Sequence, residues 1–111
     1  MPRHLVQAAY TPEAWAALIT QPQNRLEAIG ELLRSLGGRF ESVYLAFGEY
    51  DIVGVAEFPD NASAAAQSMV ISAGGSVKAV RTTPLMMTME EGLEAMRKGG
   101  AAVASYRPPT A

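Results

Sequence analysis

A short turn of sequence Gly-Glu-Tyr-Asp, at residues 48–51, stands between two strand-like runs near the middle of the chain. The runs cover residues 39–47 and 52–58 and are rich in β-branched and aromatic side chains, the composition of strands. A turn this short makes the two strands antiparallel neighbours in a β-hairpin. The hairpin therefore constrains how all other elements of the chain can be arranged.

Two further strand-like runs, residues 4–10 and 76–83, lie toward the two ends of the chain. Helical patterns occupy residues 11–36, with a break at Pro22, and residues 62–73. Two β-α-β units joined by a hairpin predict an α+β, ferredoxin-like βαββαβ fold. In that fold a four-stranded antiparallel sheet carries its helices on one face.

An additional C-terminal helix is predicted after the fourth strand. Thr88 and Glu91 fit a capping box, and the helical pattern ends near Lys98. The residues beyond it contain two prolines and no period. We therefore predict one ferredoxin-like domain over residues 1–98, followed by a C-terminal tail or arm over residues 99–111.

The composition excludes several classes of function. The 111 residues carry a net charge of −2 and no basic run, so nucleic acid is not an expected partner. No cysteine is present, which excludes disulfides and thiolate ligands. We expect no metal site and no cofactor, since no ligand cluster or glycine-rich nucleotide loop is found. A signal peptide and a long apolar stretch are also missing, which predicts a soluble cytoplasmic protein with no membrane contact.

The fold predicts a surface that needs a partner. Helices on one side of the sheet leave the other face uncovered, and apolar residues of all four predicted strands fall on it. Monomeric proteins seldom expose an apolar patch of that size. We therefore expect a homodimer or a higher even oligomer in which two sheet faces pack together.

Several short motifs follow one another in a fixed order between about residues 4 and 96. They are Thr11-Pro12-Glu13, Arg25, Gly37-Gly38, Gly48-Glu49-Tyr50-Asp51, Glu57, Pro59-Asp60, Arg81-Thr82 and Glu90-Glu91. In this order they resemble the GYD-domain family, called after its Gly-Tyr-Asp motif. The resemblance implies a ferredoxin-like protein of the dimeric α/β-barrel class, and it implies no particular activity.

Tyr50 and Asp51 are candidate ligand-binding residues in the hairpin turn. Turn chemistry explains most of the motif, because Gly48 can supply positive φ and an aspartate can bond its own backbone. A tyrosine is not required for a turn, however. The alternative is a phenol and a carboxylate at the mouth of a space between sheet and helices or between protomers.

Glu57 and Arg81 are charges within otherwise apolar strands, and charges are seldom buried without a partner. An ion pair across a dimer interface, or a bridge to Arg25, is one interpretation. The other is that Arg81 binds an anionic ligand and that Glu57 acts as a general base. His4, the one histidine, starts the first strand and is predicted at the surface or rim; it completes the set of candidate ligand-binding residues.

Three functions remain open at this point. The first is a small homo-oligomeric protein that holds a small metabolite between its sheet faces or simply packs them in register. The second is a dimeric-barrel enzyme, a cofactor-free oxygenase or an isomerase, that acts on a small acidic or aromatic metabolite. The third is a sensor that binds a metabolite at subunit edges without turnover.

Overall fold

The structure is a computed structural model and describes residues 1–110. Along the chain the elements are β1 (Arg3–Tyr10), α1 (Pro12–Thr20), α2 (Arg25–Ser35), β2 (Arg39–Leu45), β3 (Ile52–Glu57), α3 (Asn61–Ala73), β4 (Val77–Pro84), α4 (Met89–Ala102) and a short 3-10 helix (Val103–Ser105). The predicted βαββαβ order with an extra C-terminal helix is confirmed. The break at Pro22 divides the first crossover into α1 and α2.

The four strands form one antiparallel sheet in the order β2-β3-β1-β4. The central strand β1 pairs with β3 on one side and with β4 on the other. This order is that of the ferredoxin-like fold, which confirms the α+β class inferred from the hairpin. The strands that belong to one β-α-β unit are thereby separated by a strand of the other.

The hydrophobic core lies between the sheet and the helices α1, α2 and α3. It has two clusters of buried residues, one of Val6, Leu33, Ala56, Phe58 and Ala64, the other of Ala8, Tyr10 and Ile52. Trp15 and Leu18 bring α1 onto the second cluster. All three helices therefore cover the same face of the sheet.

Each helix begins at a side chain that accepts a hydrogen bond from a free backbone amide of the first turn. Thr11 caps α1, Asn24 caps α2 and Asp60 caps α3. Thr88 and Glu91 form the predicted capping box of α4. Because unpaired amides at a helix start are costly, these residues determine where the helices begin.

Strand β2 is bulged, so its side chains do not alternate strictly between the two faces of the sheet. Strict alternation places Phe40 on the face opposite Val43, but the register with β3 shifts between Phe40 and Ser42. An extra residue in one strand restores both side chains to the same face. Phe40 and Val43 consequently both pack against the core clusters. The strand also ends at Leu45 rather than at Phe47.

Helix α3 packs on the sheet with a face other than the one that its small residues predict. Helical spacing groups Met69 and Val70 with several alanines on one stripe whose small residues would fit closely on the sheet, yet both of these side chains are exposed. Ala64 and Gln67 are buried instead, and Ser68 hydrogen-bonds Thr82 of β4. Hydrophobic periodicity is a poor guide here, because alanine is compatible with both surfaces of a helix.

Helix α4 projects away from the body of the protein. It was expected to end near Lys98, but it continues to Ala102, and none of its residues is buried. The radius of gyration is 18.2 Å, whereas a compact domain of this size has about 13 Å. The long axis of 60 Å reflects this projecting helix. The described chain thus consists of a compact sheet-and-helix body and one exposed arm.

Candidate functional site

One face of the sheet is uncovered. The three helices of the body lie on the other face and α4 projects away, so no helix within residues 1–110 packs on it. The strand register places these side chains on the uncovered face: Leu5, Gln7, Tyr44, Val53, Val55 and Ala79. Most are half-buried by their neighbours in the sheet, and Tyr44 is 71% exposed. The centre of this face is therefore apolar and open.

Four charged side chains form a cluster at one end of the uncovered face. Arg39 Nη2 lies 2.9 Å from Glu57 Oε2, and Arg3 Nε lies 2.9 Å from Glu41 Oε2 and 3.8 Å from Glu57 Oε1. The Glu57 side chain is 12% exposed, whereas the two arginine side chains are mostly in solvent. Glu57 is therefore held by two neighbouring strands and is not a free base within the chain.

Arg81 also stands on the uncovered face, but away from this cluster. It pairs with Gln7 of β1, whereas Glu57 pairs with Arg3. Four residues along β1 and two strand spacings place the Cα atoms of Arg81 and Glu57 about 16 Å apart. Neither this pair nor the bridge between Glu57 and Arg25 forms among the described residues. Arg81 is exposed and makes no ion pair within residues 1–110.

The turn at residues 48–51 fastens β1 to the hairpin. Asp51 Oδ2 accepts a hydrogen bond from the backbone amide of Tyr10 at 2.8 Å, and the amide of Asp51 donates to the carbonyl of Ala8. The aspartate thus bonds another strand rather than its own backbone. Gly48 does not adopt positive φ; in the described chain Gly37 and Gly75 do. Tyr50 is half-buried, at the end of β3 opposite to Glu57.

His4 is buried, which corrects its predicted place at the rim. It is only 2% exposed and meets Phe58 edge-on, with ring centroids 5.5 Å apart. Its side chain points to the helix face, and its Nδ1 has no hydrogen-bond partner within residues 1–110. His4 is covered although it lies at the start of a strand, because β1 is a central strand of the sheet.

The five predicted site residues therefore occupy three separate places. His4 lies under the helices, Glu57 and Arg81 lie on the uncovered face, and Tyr50 and Asp51 lie in the hairpin turn. They do not converge within one chain. No group of three or more histidines or carboxylates in residues 1–110 could hold a metal ion. In the same residues, no helix has the length and apolar character needed to cross a membrane.

A cleft of about 380 Å³ opens on the helix side of the sheet. It lies between α1, the start of α2 and the β2–β3 hairpin, and its wall is mainly apolar. Leu18, Ile29, Phe40 and Val43 contribute to that wall. The volume is within the range of small-molecule sites, about 300–1,000 Å³.

Polar residues also line this mainly apolar cleft: Tyr10 and Arg25, together with the exposed Gln23, Asn24 and Tyr44. Tyr10 is only 6% exposed, and its buried phenol oxygen has no hydrogen-bond partner in the described chain. Burial raises the pKa of Tyr10, and the positive charge of Arg25 opposes that rise. The phenol therefore keeps its proton near neutral pH and can donate it in a hydrogen bond.

A row of three aromatic rings runs from Tyr10 and Trp15, which line the cleft, to Phe47, which does not. Trp15 meets Tyr10 edge-on and stacks on Phe47, with ring centroids 5.3 Å apart in each pair. None of these residues is among the candidate site residues predicted from the sequence. The signal that could have revealed the site is Tyr10 at the end of a buried strand, with Arg25 opening the next long helix.

The family model described as the GYD domain matches residues 4–96, which is most of the chain. The chain belongs to the GYD domain family. The resemblance inferred from the ordered motifs is thereby confirmed.

One relative of this GYD protein is named for the proteins that it binds. The chain is similar to the "Glutamine synthetase and cystathionine beta-lyase binding protein" of Thermus thermophilus, with 33% identity over 78 residues. The matched region is 70% of this chain and 82% of the relative. That relative is thus named for binding other proteins.

The GYD match includes the whole sheet and the three helices of the body, and it ends at Met96 within α4. The second half of α4 lies outside the match. The cleft and the apolar residues of the uncovered face lie within the matched residues, as do all members of the charged cluster except Arg3.

Proposed function

We propose that this GYD protein is a protein-binding module that works as a homodimer, with the uncovered faces of two sheets packed together. The observation that carries the proposal is the open apolar centre of that face, formed by Leu5, Val53 and Val55. Burial of such a surface is the main favourable term in protein association. A second copy presents the same apolar surface, so the contact is self-complementary.

The size of the available surface supports a dimer in which α4 also takes part. From strand spacing and rise, the sheet face measures about 20 by 23 Å, on the order of 450 Å². A stable interface buries about 800 Å² on each partner. The face alone therefore falls short, and the apolar stripe of α4 supplies a second surface for the same partner.

The stripe on α4 has the spacing of a helix that packs on another surface. Met89, Leu93 and Met96 recur every three to four residues, Val103 follows seven residues after Met96 in the short 3-10 helix, and Met96 is 66% exposed. Charged residues such as Glu94 and Lys98 lie on the opposite side. An amphipathic helix is stabilised in proteins chiefly by packing of its apolar face. We propose that this face of α4 lies on the second copy.

The charges at the end of the sheet face determine the register of the dimer in this proposal. Rim charges contribute more to orientation than to affinity. Arg81, which has no carboxylate partner within residues 1–110, meets a carboxylate of the second copy, and two-fold symmetry repeats the pair. The assignment of His4, Tyr50 and Asp51 to ligand binding stays a prediction, as does the cytoplasmic location.

Sedimentation analysis over a range of concentrations tests the proposal. The native chain should sediment at about twice its 11.8 kDa mass. The variant Val55→Lys places a charge in the apolar centre and should be a monomer at the same concentrations. Ala65→Lys adds the same charge to the exposed side of α3 and should remain dimeric. A monomeric native chain, or a dimeric Val55→Lys, would contradict the proposal.

A second function, binding of a larger enzyme, is favoured by the named relative. The outward side of α3 offers a surface that the dimer leaves exposed, since Met69 and Val70 are largely in solvent. Biolayer interferometry with glutamine synthetase and cystathionine β-lyase from the same source tests it. Met69→Lys should abolish binding, and Ala17→Lys on α1 should leave it intact. Absence of binding by the native chain would reject this function.

The enzyme alternative has less support. It needs an acid, a base and an anion-binding group around one cavity, whereas Glu57 is paired with two arginines, and His4 lies on the other side of the sheet. Asp51 is engaged with the backbone of β1. A metabolite site between the sheet faces stays a prediction.

A further inference from the structure

Two cavities meet beneath α2. The cleft of about 380 Å³ is joined by a second cavity of about 200 Å³ that extends between α2 and α3. The residues common to both walls are Tyr10, Arg25, Ile29, Phe40 and Ile52. Tyr10 and Arg25, the two polar residues that line both cavities, thus lie where the cavities join. Both cavities have mainly apolar walls.

The hydrogen-bonding capacity of the polar groups at this junction is only partly used, and the positive charge of Arg25 acts on the Tyr10 phenol. The phenol oxygen of Tyr10 is buried without a hydrogen bond, and the hydrogen bond recorded for the Arg25 side chain is to Gln23 Oε1, at 3.1 Å. Arg25 forms no ion pair within residues 1–110. A buried hydroxyl without a partner is unfavourable and uncommon in folded proteins. A ligand that accepts hydrogen bonds would satisfy both groups.

We propose that this cleft binds a small aromatic carboxylate. The carboxylate accepts hydrogen bonds from the guanidinium of Arg25 and from the phenol of Tyr10, while the ring lies among Trp15, Ile29 and Phe40. Guanidinium groups favour carboxylates because two parallel donors match two acceptor oxygens. The apolar wall favours a ring over a polar body. This site is separate from the sheet face and does not depend on dimerisation.

The ionisation of the site favours an anion with acceptor oxygens. Since burial raises the pKa of Tyr10, the phenol remains a donor at neutral pH. Arg25 is a permanent donor. A neutral ring without acceptors would leave the Tyr10 phenol without a hydrogen bond, and a ligand with a cationic head would place a second positive charge beside Arg25. An aromatic carboxylate fits both the polar junction at Tyr10 and Arg25 and the apolar wall of the cleft.

Phenylacetate and phenylacetamide form a matched pair of probes for the native protein. Trp15, the one tryptophan of the chain, lies in the wall of the cleft, so its fluorescence reports binding directly. Calorimetry measures the affinity independently. We expect phenylacetate to bind and to change the Trp15 emission, and phenylacetamide to bind at least about tenfold more weakly. Equal affinities, or no binding of phenylacetate, would overturn the proposal.

Substitutions at the two polar groups complete the test. Arg25→Met keeps an unbranched apolar stem, removes the guanidinium and should weaken phenylacetate binding at least about tenfold. Tyr10→Phe keeps the ring and should weaken it by a smaller factor. Arg34→Met, on an exposed part of the same helix, is the matched control and should bind as the native chain does. Unchanged affinity in Arg25→Met, with native circular dichroism, would reject the role of Arg25. If a variant does not fold, the comparison of phenylacetate with phenylacetamide on the native protein still tests the proposal.

Discussion

Asp51 Oδ2 accepts a hydrogen bond from the backbone amide of Tyr10 at 2.8 Å, across 41 positions of sequence. The bond joins the hairpin turn to the end of the central strand. A second bond, from the amide of Asp51 to the carbonyl of Ala8, makes the attachment two-pointed. The aspartate of the Gly-Glu-Tyr-Asp turn is therefore explained by the fold, because it accepts from an amide of β1 that lies beyond Ala8, the last residue of β1 paired with β3.

The first prediction concerns this bond. Asp51→Ala should lower the free energy of unfolding by about 1–3 kcal/mol, because it leaves a part-buried amide without an acceptor. Asp51→Asn keeps an oxygen acceptor and should cost less. Urea denaturation measures both. Glu49→Ala in the same turn is exposed and serves as the control. Equal stability of Asp51→Ala and Glu49→Ala would show that the bond does not anchor the turn.

The second prediction concerns Gly54, where the backbones of β2 and β3 come close together. A Cβ atom at this position would lie 2.6 Å from the carbonyl oxygen of Ser42 and 3.0 Å from Val43 Cβ. Gly54→Ala should therefore destabilise the protein by about 2 kcal/mol or more. Gly48→Ala is the matched control, since nothing lies within 4 Å of its Cβ and its φ is not positive. Thermal unfolding compares the two, and equal midpoints would contradict the close approach.

The third prediction concerns pH. The amide of Ser63 donates to Asp60 Oδ1 at 2.7 Å, and this hydrogen bond lowers the pKa of Asp60. A carboxyl whose pKa is lowered by folding stabilises the protein while ionised. Its contribution is present above about pH 4 and is lost as pH falls through the lowered pKa. The native protein should therefore lose stability on acidification relative to Asp60→Asn, which keeps the cap oxygen but does not titrate. A stability difference that is constant from pH 7 to pH 2 would contradict this role of the carboxylate.

The fourth prediction concerns the arm. Leu93→Glu places a charge on the apolar stripe of α4 and should raise the dimer dissociation constant at least about tenfold. Because no residue of α4 is buried within its own chain, the circular dichroism of the body should not change. Lys98→Glu, on the charged side of α4, is the control. If both variants dimerise as the native chain does, α4 does not contact the second copy.

The hairpin and the glycine-punctuated helices made the fold predictable from sequence. The capping box of Thr88 and Glu91 was equally readable, because its geometry depends on residues three apart. The bulge of β2 was not readable, since it depends on how β2 pairs with β3. The packed face of α3 does not follow from its alanines, because alanines give no hydrophobic direction; the packed face carries Ala64 and Gln67, and Ser68 hydrogen-bonds Thr82 of β4.

The candidate site was less predictable than the fold. Charges within strands drew attention to Glu57 and Arg81, and register rather than composition decides that they lie about 16 Å apart. His4 is covered because of the strand order, which places β1 in the centre of the sheet. Tyr10 and Arg25 meet only after α2 folds back over the sheet. No local pattern in the sequence brings these two residues together.

The most direct test of the account is an isotope-filtered NOE experiment on a sample in which half of the chains carry labelled methyl groups. The dimer proposal predicts NOEs between copies at Leu5, Val53 and Val55, which share the uncovered face of the sheet. The core methyl groups of Val6 and Ile52 should show NOEs within one chain only. The absence of NOEs between copies at the three sheet-face residues, at concentrations where the chain sediments as a dimer, would contradict the central claim.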